Sequence, residues 1–275
     1  MNLSPLINLF NQIPAYSTFA DAIHWDEVSD EMRRPLGVLA AARPALLAAL
    51  LSDLQRPILF ITARADRARI FKEQIQVWAR NPASIYRMPD PDALPHEKVN
   101  WGSETVRGRL VALSALIMYQ RRANRNSHNG ENRFVEPPLI VTSARGLMHH
   151  TLPPSEFTIM EFKVGQRIRL NQLIAEWLAL GYQPEDVVEV PGQLGKRGGI
   201  VDVFSPCSQL PVRIEFSGNR INSMRCFDPE SQRSSGPISS LIVTPAKEFI
   251  MPSGKINSPL DLDGCTAEVE QSFQE

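Results

Sequence analysis

The stretch "GQLGKRGG", residues 192–199, sets four glycines beside Lys196 and Arg197, a composition suited to holding phosphate through backbone N–H groups. Such a loop needs its N–H groups to converge at the start of a helix, with a hydroxyl residue after the lysine for magnesium. Here Lys196 is followed by Arg197, and Gly198-Gly199 run into "IVDVF", which alternates as a strand does. The segment predicts a turn that leads into a strand and leaves the backbone uncluttered beside Arg197. A second candidate is "PLGVLAAARPALLAAL", at the place where an α/β nucleotide fold has its strand-to-helix loop. Aligned on Gly37, the G-x-x-x-x-G-K-[ST] pattern would require glycine at Ala42, lysine at Arg43 and a hydroxyl residue at Pro44. Alanine methyl groups crowd the approach of phosphate, and Pro44 has neither an N–H nor a magnesium ligand, so Gly37–Pro44 predicts a degenerate phosphate loop.

Other chemistry-bearing residues are scattered. His149 and His150 are neighbours, whose side chains point apart in extended chain, and no cysteine or carboxylate stands at ligand spacing, so no metal site is expected. His24, His96 and His128 have no evident catalytic partner, and neither G-x-S-x-G nor H-E-x-x-H occurs. No catalytic residue is assigned.

These residues sit in a chain of 275, 43% hydrophobic, with a net charge of -1. That length suits two compact domains, and the neutral balance supplies no global field toward nucleic acid or anionic membrane. Cys207, Cys226 and Cys265 share no CxxC spacing, as expected of a reducing cytosol. The longest apolar run is broken by Arg43 and Pro44 and falls short of the roughly 18 residues of a membrane span. A soluble, cytoplasmic protein without membrane contact is expected.

The elements follow from periodicity. One or two short helices, broken by Pro14, precede a helix over "RPALLAALLSDL", then a strand "RPILFIT", a helix "ADRARIFKEQIQVWAR", a strand "SIYRM", a helix from Ser103 to Arg122 and a strand "PLIVTS". Strands alternating with helices over 35–145 predict a parallel sheet covered on both faces. "RANRNSHNGENRFVEPP" has no hydrophobic period and reads as a solvated loop, with Arg121, Arg122, Arg125 and Arg133 in or beside it. Past residue 150, "FTIMEFKVGQRI" reads as strand and turn, and a helix stops at Gly181. The short runs "DVVEVPG", "GIVDVFSP", "LPVRIEFSG", "RINSMRCFD" and "SLIVTPA" then predict an antiparallel meander. The expected division is 1–150, 151–248 as a smaller α+β domain, and a tail 249–275 too short for a core.

The run "LNQLIAEWLALGYQPEDVVEVPGQLGKRGGIVDVFSPCSQLPVRIEFSGNRINSMRCFDPESQRS" resembles the second domain of bacterial transcription-repair coupling factors, and "ALPHE" and "LIVTSARGLM" extend the resemblance over nearly the whole chain. After "LALGY" it follows the family pattern P-G-x-[FL]-x-x-R-G-G-I-[LIV]-D-[IV]-F, then P-V-R-I-E-F. The excision-repair protein UvrB shares the module, but keeps a working ATP loop and a tyrosine-rich hairpin where this chain has "HEKVNWGSETV". A UvrB-like ATP-binding subunit acting on damaged DNA is therefore the alternative reading. The resemblance implies an α/β fold: a degenerate P-loop helicase-like parallel-sheet domain, then the α+β domain, with 249–275 as the start of a truncated return segment. It implies that the α+β domain binds UvrA, the damage-recognition ATPase, through Arg197, Arg213 and the Phe216-Ser217 pair. Ser217 replaces an aromatic of the family, and Gly218-Asn219-Arg220-Ile221 replaces G-D-E-I. Contacts with RNA polymerase and double-stranded DNA, together with ATP and magnesium, are implied only for a translocase region absent from these residues, so the chain is expected to be non-enzymatic.

Overall fold

A computed structural model describes residues 2–24, 37–92, 101–129 and 136–248. A 3-10 stretch, Ser4–Gln12, and helix α1, Pro14–His24, meet at the expected proline. The first sheet joins β1 (Ile58–Thr62), β3 (Leu139–Ser143) and β2 (Ile85–Arg87) in the order β1-β3-β2, all parallel. Leu139 stands opposite both Ile58 and Ile85. Alternation along β3 decides which helix each residue meets. Leu139 and Val141 join the core made with α2 (Arg43–Leu54) and α3 (Ala65–Trp78). Ile140 turns the other way, toward Ala112 and Leu113 of α4 (Ser103–Asn129). A four-residue helix α5, Ala144–Leu147, follows β3, and Ser143 caps it by accepting from Gly146 N–H at 3.1 Å.

α4 extends past the expected end at Arg122 to Asn129, placing Arg125 in helix instead of loop while Arg121 and Arg122 lie in helix as expected. The added turns, residues 123–129, contain neither glycine nor proline, so a helix that already exists continues through them. Arg121 donates to the carbonyls of Phe157 (3.0 Å) and Ile159 (3.5 Å), tying the helix to the chain beyond β3. Arg133 lies outside the described residues.

The second sheet has the order β10-β9-β8-β7-β6-β5. Its strands are β5 (Gln183–Pro184), β6 (Gln193–Arg197), β7 (Ile200–Val203), β8 (Val212–Ser217), β9 (Arg220–Phe227) and β10 (Ser234–Pro237). All neighbours are antiparallel except β5 and β6. A separate pair, β4 (Met160–Lys163) with β11 (Ser240–Val243), packs Phe162, Leu241 and Val243 into the same core. Helix α6, Leu170–Ala179, fills that core with Leu173 and Trp177. It stops at Gly181, whose φ of +88° suits glycine.

"DVVEVPG" is not the expected strand; only Gln183–Pro184 pairs, and residues 185–191 form a loop beside β6. The Glu189 and Val190 amides donate to the Gln193 side chain at 2.8 and 3.0 Å, so the backbone is satisfied without a ladder. Val188 then packs with Phe204 and Phe227 in a small second core.

Two arginines of α4 tie the first sheet to the chain of the second domain. Arg109 of α4 is 1% exposed and donates Nε and Nη2 to the Glu248 carboxylate at 2.6 and 2.8 Å. Its Nη1 donates to the carbonyls of Pro89 (2.9 Å) and Gly146 (2.8 Å). Arg107 donates to the carbonyls of Pro206 (3.2 Å) and Ser208 (3.1 Å).

Candidate protein-docking site

The register of the six-stranded sheet fixes which side chains share a face. Directly paired residues point the same way, so Arg197, Ile200, Glu215 and Ser223 form one row across β6 to β9. Gly195, Asp202, Arg213 and Arg225 form the next row on that same outer face. The opposite face carries Leu194, Val201, Val203, Val212, Ile214 and Met224, all buried against α6. Arg197 and Arg213 thus share a face, with Cα atoms roughly 12 Å apart from two strand spacings and two residues of rise.

Their surroundings differ. Arg197 is exposed at the end of β6, where the two-residue turn Gly198-Gly199 (Gly198 φ +61°) reverses the chain into β7. One of its nitrogens, Nη2, donates to the Asp186 carbonyl at 2.7 Å, which bends the side chain over the 185–191 loop and leaves the remaining donors outward. Exposed Ile200 lies directly opposite it, and exposed Val187 and Val190 lie on the loop. Gly199 accepts at its carbonyl from Phe216 N–H (2.8 Å), tying the hairpin tip to β8.

One edge of the Arg213 guanidinium is already taken. Its Nε and Nη2 both donate to Asp202, each at 2.8 Å, and its guanidinium lies 4.7 Å from the centre of the Phe227 ring. The hydrogen bond to Asp202 holds its pKa above the ordinary arginine value. Asp202 is 9% exposed, and a buried carboxylate requires such a partner. Of the two arginines that the resemblance implies as partner contacts, Arg213 thus spends its Nε–Nη2 edge within the sheet. Neighbouring Arg225 pairs with Glu215 at 2.5 Å, and Ser223 Oγ donates to the same carboxylate at 2.7 Å.

Phe216 follows a bulge in β8 and packs against the inner core instead of standing out as an anchor. Ser217 is exposed opposite Arg220, at the mouth of the β8–β9 turn. The structure thus places Arg197 and Ser217 in solvent, and Arg213 and Phe216 in the fabric of the domain. Asp202 was missed because its register with β8 has no local signal. Arg109 had one, an arginine within the apolar stripe Val106, Leu110, Leu113.

At the other candidate, Ala40–Ala42 form a 3-10 turn into α2, with Pro44 buried in the first helical turn. Arg43 folds back so that Nε donates to the Val38 carbonyl at 3.3 Å, and Gly37 is exposed in open space. Residues 25–36, just before Gly37, and the "HEKVN" segment lie outside the described residues. His149 stands edge-on to Trp101, with ring centres 5.6 Å apart, and burial, with the charges of Arg109 and Arg145, lowers its pKa. Among the described residues no three His, Cys, Asp or Glu side chains gather as a metal site, and no helix is long and apolar enough to cross a membrane.

Residues 160–249 match the family model of the UvrB interaction domain. The chain is 29% identical over 262 residues to the transcription-repair-coupling factor of Myxococcus xanthus, covering 86% of this chain and 20% of that protein. It is 31% identical over 204 residues to that of Mycobacterium bovis, covering 72% and 15%, and 28% identical over 218 residues to that of Bacillus subtilis, covering 78% and 17%. The chain thus spans a fifth or less of the length of these relatives. It is a relative of the transcription-repair-coupling factors, and the region that holds β4 to β11 matches the UvrB interaction domain.

Proposed function

We propose that this chain is the protein-recognition part of a transcription-repair coupling factor, recruiting a UvrA-type damage-recognition ATPase to stalled RNA polymerase. The observation that carries this is the exposed Arg197 at the β6–β7 tip, beside exposed Ile200, within the UvrB interaction domain. An arginine fork next to apolar surface suits a partner carboxylate flanked by apolar side chains. Arg213 braces the same face through Asp202, and Ser217 lies on its margin. The proposed division is a helicase-like parallel-sheet domain to about residue 150, then the docking domain to 248. RNA polymerase, double-stranded DNA and ATP-driven translocation belong to the length of the relatives that this chain does not span, and the setting is the cytoplasm.

Calorimetric titration with the cognate UvrA tests the site. Arg197→Ala is expected to weaken binding by about 1–2 kcal/mol without changing the urea-unfolding midpoint. Arg213→Ala is expected to weaken binding and lower that midpoint together. Equal binding by wild type and both variants sinks the assignment.

Residues 37–44 are proposed to hold no nucleotide, because Arg43 is turned back onto the loop and Pro44 opens the helix. Titration with a fluorescent ATP analogue and magnesium should give no saturable signal. Saturable micromolar binding would favour a UvrB-like ATP-binding subunit instead.

A further inference from the structure

The chain from Gly165 to Arg169 lies antiparallel against the start of β9. Ile168 N–H donates to the Asn219 carbonyl at 2.8 Å, and Ile221 N–H donates to the Gln166 carbonyl at 3.0 Å. These two bonds flank Arg167 and Arg220 and make them a directly opposed, non-hydrogen-bonded pair, the arrangement in which cross-strand side chains come closest. Like charges placed so are destabilising. Arg169 follows, at the N-cap of α6, with no side-chain cap and no acidic residue in the first helical turn. With Gln172, Ser217 and Asn219, the three arginines line an open groove of about 700 Å³ whose lining contains no Asp or Glu. Among the described residues, none of the three guanidiniums has an ion-pair or hydrogen-bond partner.

In the middle of the neighbouring sheet face arginines are answered: Arg213 by Asp202, Arg225 by Glu215. The groove concentrates three unanswered cations beside a helix N-terminus whose dipole adds positive potential. An anion entering it would relieve the repulsion. Guanidinium forks match planar oxyanions, and the groove touches the docking face at Ser217. No aromatic lines it for base stacking, and a net charge of -1 gives the chain no long-range attraction for a polyanion. We propose that Arg167, Arg169 and Arg220 bind an acidic segment, a cluster of Asp and Glu carboxylates, on the protein partner that docks at the adjacent sheet face. This rests on the docking role proposed above for that face.

The test uses the whole chain and fluorescence anisotropy with two labelled probes of about ten units, an Asp/Glu-rich peptide and a single-stranded oligodeoxynucleotide. Wild type is expected to capture the peptide in a salt-sensitive manner. Arg220→Glu should weaken that capture by about tenfold, whereas Arg69→Glu on α3 should leave it unchanged. Because Arg220→Glu replaces an opposed like-charge pair by an opposite one, its urea-unfolding midpoint should rise while binding falls, which separates lost recognition from lost folding. Titration of the same variant with UvrA should weaken as well. The proposal is overturned if wild type captures no peptide, if Arg220→Glu leaves peptide or UvrA binding unchanged, or if the oligodeoxynucleotide binds more tightly. Any of these with UvrA binding still weakened by Arg197→Ala leaves the sheet-face reading intact. Conversely, failure of wild type to bind UvrA while the peptide results hold rejects that reading and confines the groove to acidic peptides at large.

Discussion

At the scale of single residues, Asp202 governs what Arg213 can do. Its carboxylate takes both donors of one edge of the guanidinium, and the plane of that guanidinium rests on Phe227. Removing either member leaves a different orphan. Arg213→Ala strands a carboxylate that is 9% exposed and removes the cation–π contact, whereas Asp202→Ala strands a guanidinium that keeps 24% of its side-chain surface in water. Arg213→Ala should therefore cost about 2–4 kcal/mol and Asp202→Ala about 1–3 kcal/mol. The double variant should lose less than the sum, since neither charge is then stranded. Urea unfolding of the three proteins checks this, and strict additivity would mean that the pair does not act as a unit.

At the scale of elements, the β6–β7 hairpin aims Arg197. Gly198 has a φ of +61° and open space around the position of a Cβ, so Gly198→Ala meets no neighbour and suffers only backbone strain. A loss of about 1 kcal/mol is expected in urea unfolding, with weaker UvrA titration because the strained turn re-aims Arg197. No change in either measurement would show that the tip is loosely held. The turn into β7 was legible from Gly198-Gly199, but β6 was not: "QLGKR" lacks a clear apolar alternation, and the preceding strand was expected at "DVVEVPG" instead. The strand from 212 on was equally plain from alternation, but its register with β7 was not. The connection 204–211 carries no turn that sets it, and the Asp202–Arg213 pairing depends on that register. "DVVEVPG" misled for a related reason: valine favours a strand, yet Val187 and Val190 end up exposed because side-chain bonds from Gln193 satisfy the loop's amides first. The arginine-rich end of α4 was lost to a rule about polarity, which says nothing of helix continuation once a helix exists. That β3 is a strand covered on both faces, by contrast, could be read from its unbroken apolar run and the helices on either side of it in sequence.

At the scale of the whole molecule, the buried Arg109–Glu248 pair holds the two sheets together. Both side chains are nearly inaccessible, and the guanidinium also satisfies two carbonyls from the turns after β2 and β3. Glu248→Ala should cost about 3–5 kcal/mol, because it leaves a buried cation with only neutral partners. A loss below about 1 kcal/mol in urea unfolding would show that water reaches Arg109 and that the pair is not a brace. The spacing of this pair has a temporal consequence. Arg109 and Glu248 are 139 residues apart, so at about 5–20 residues per second a ribosome makes the carboxylate roughly 7–28 s after the guanidinium. Throughout that interval the α4 side of the parallel sheet carries a cation meant for a dry site, and the nascent chain cannot close around it. The first sheet has all its strands by Ser143 yet is braced only once Glu248 is made, so its packing is completed last.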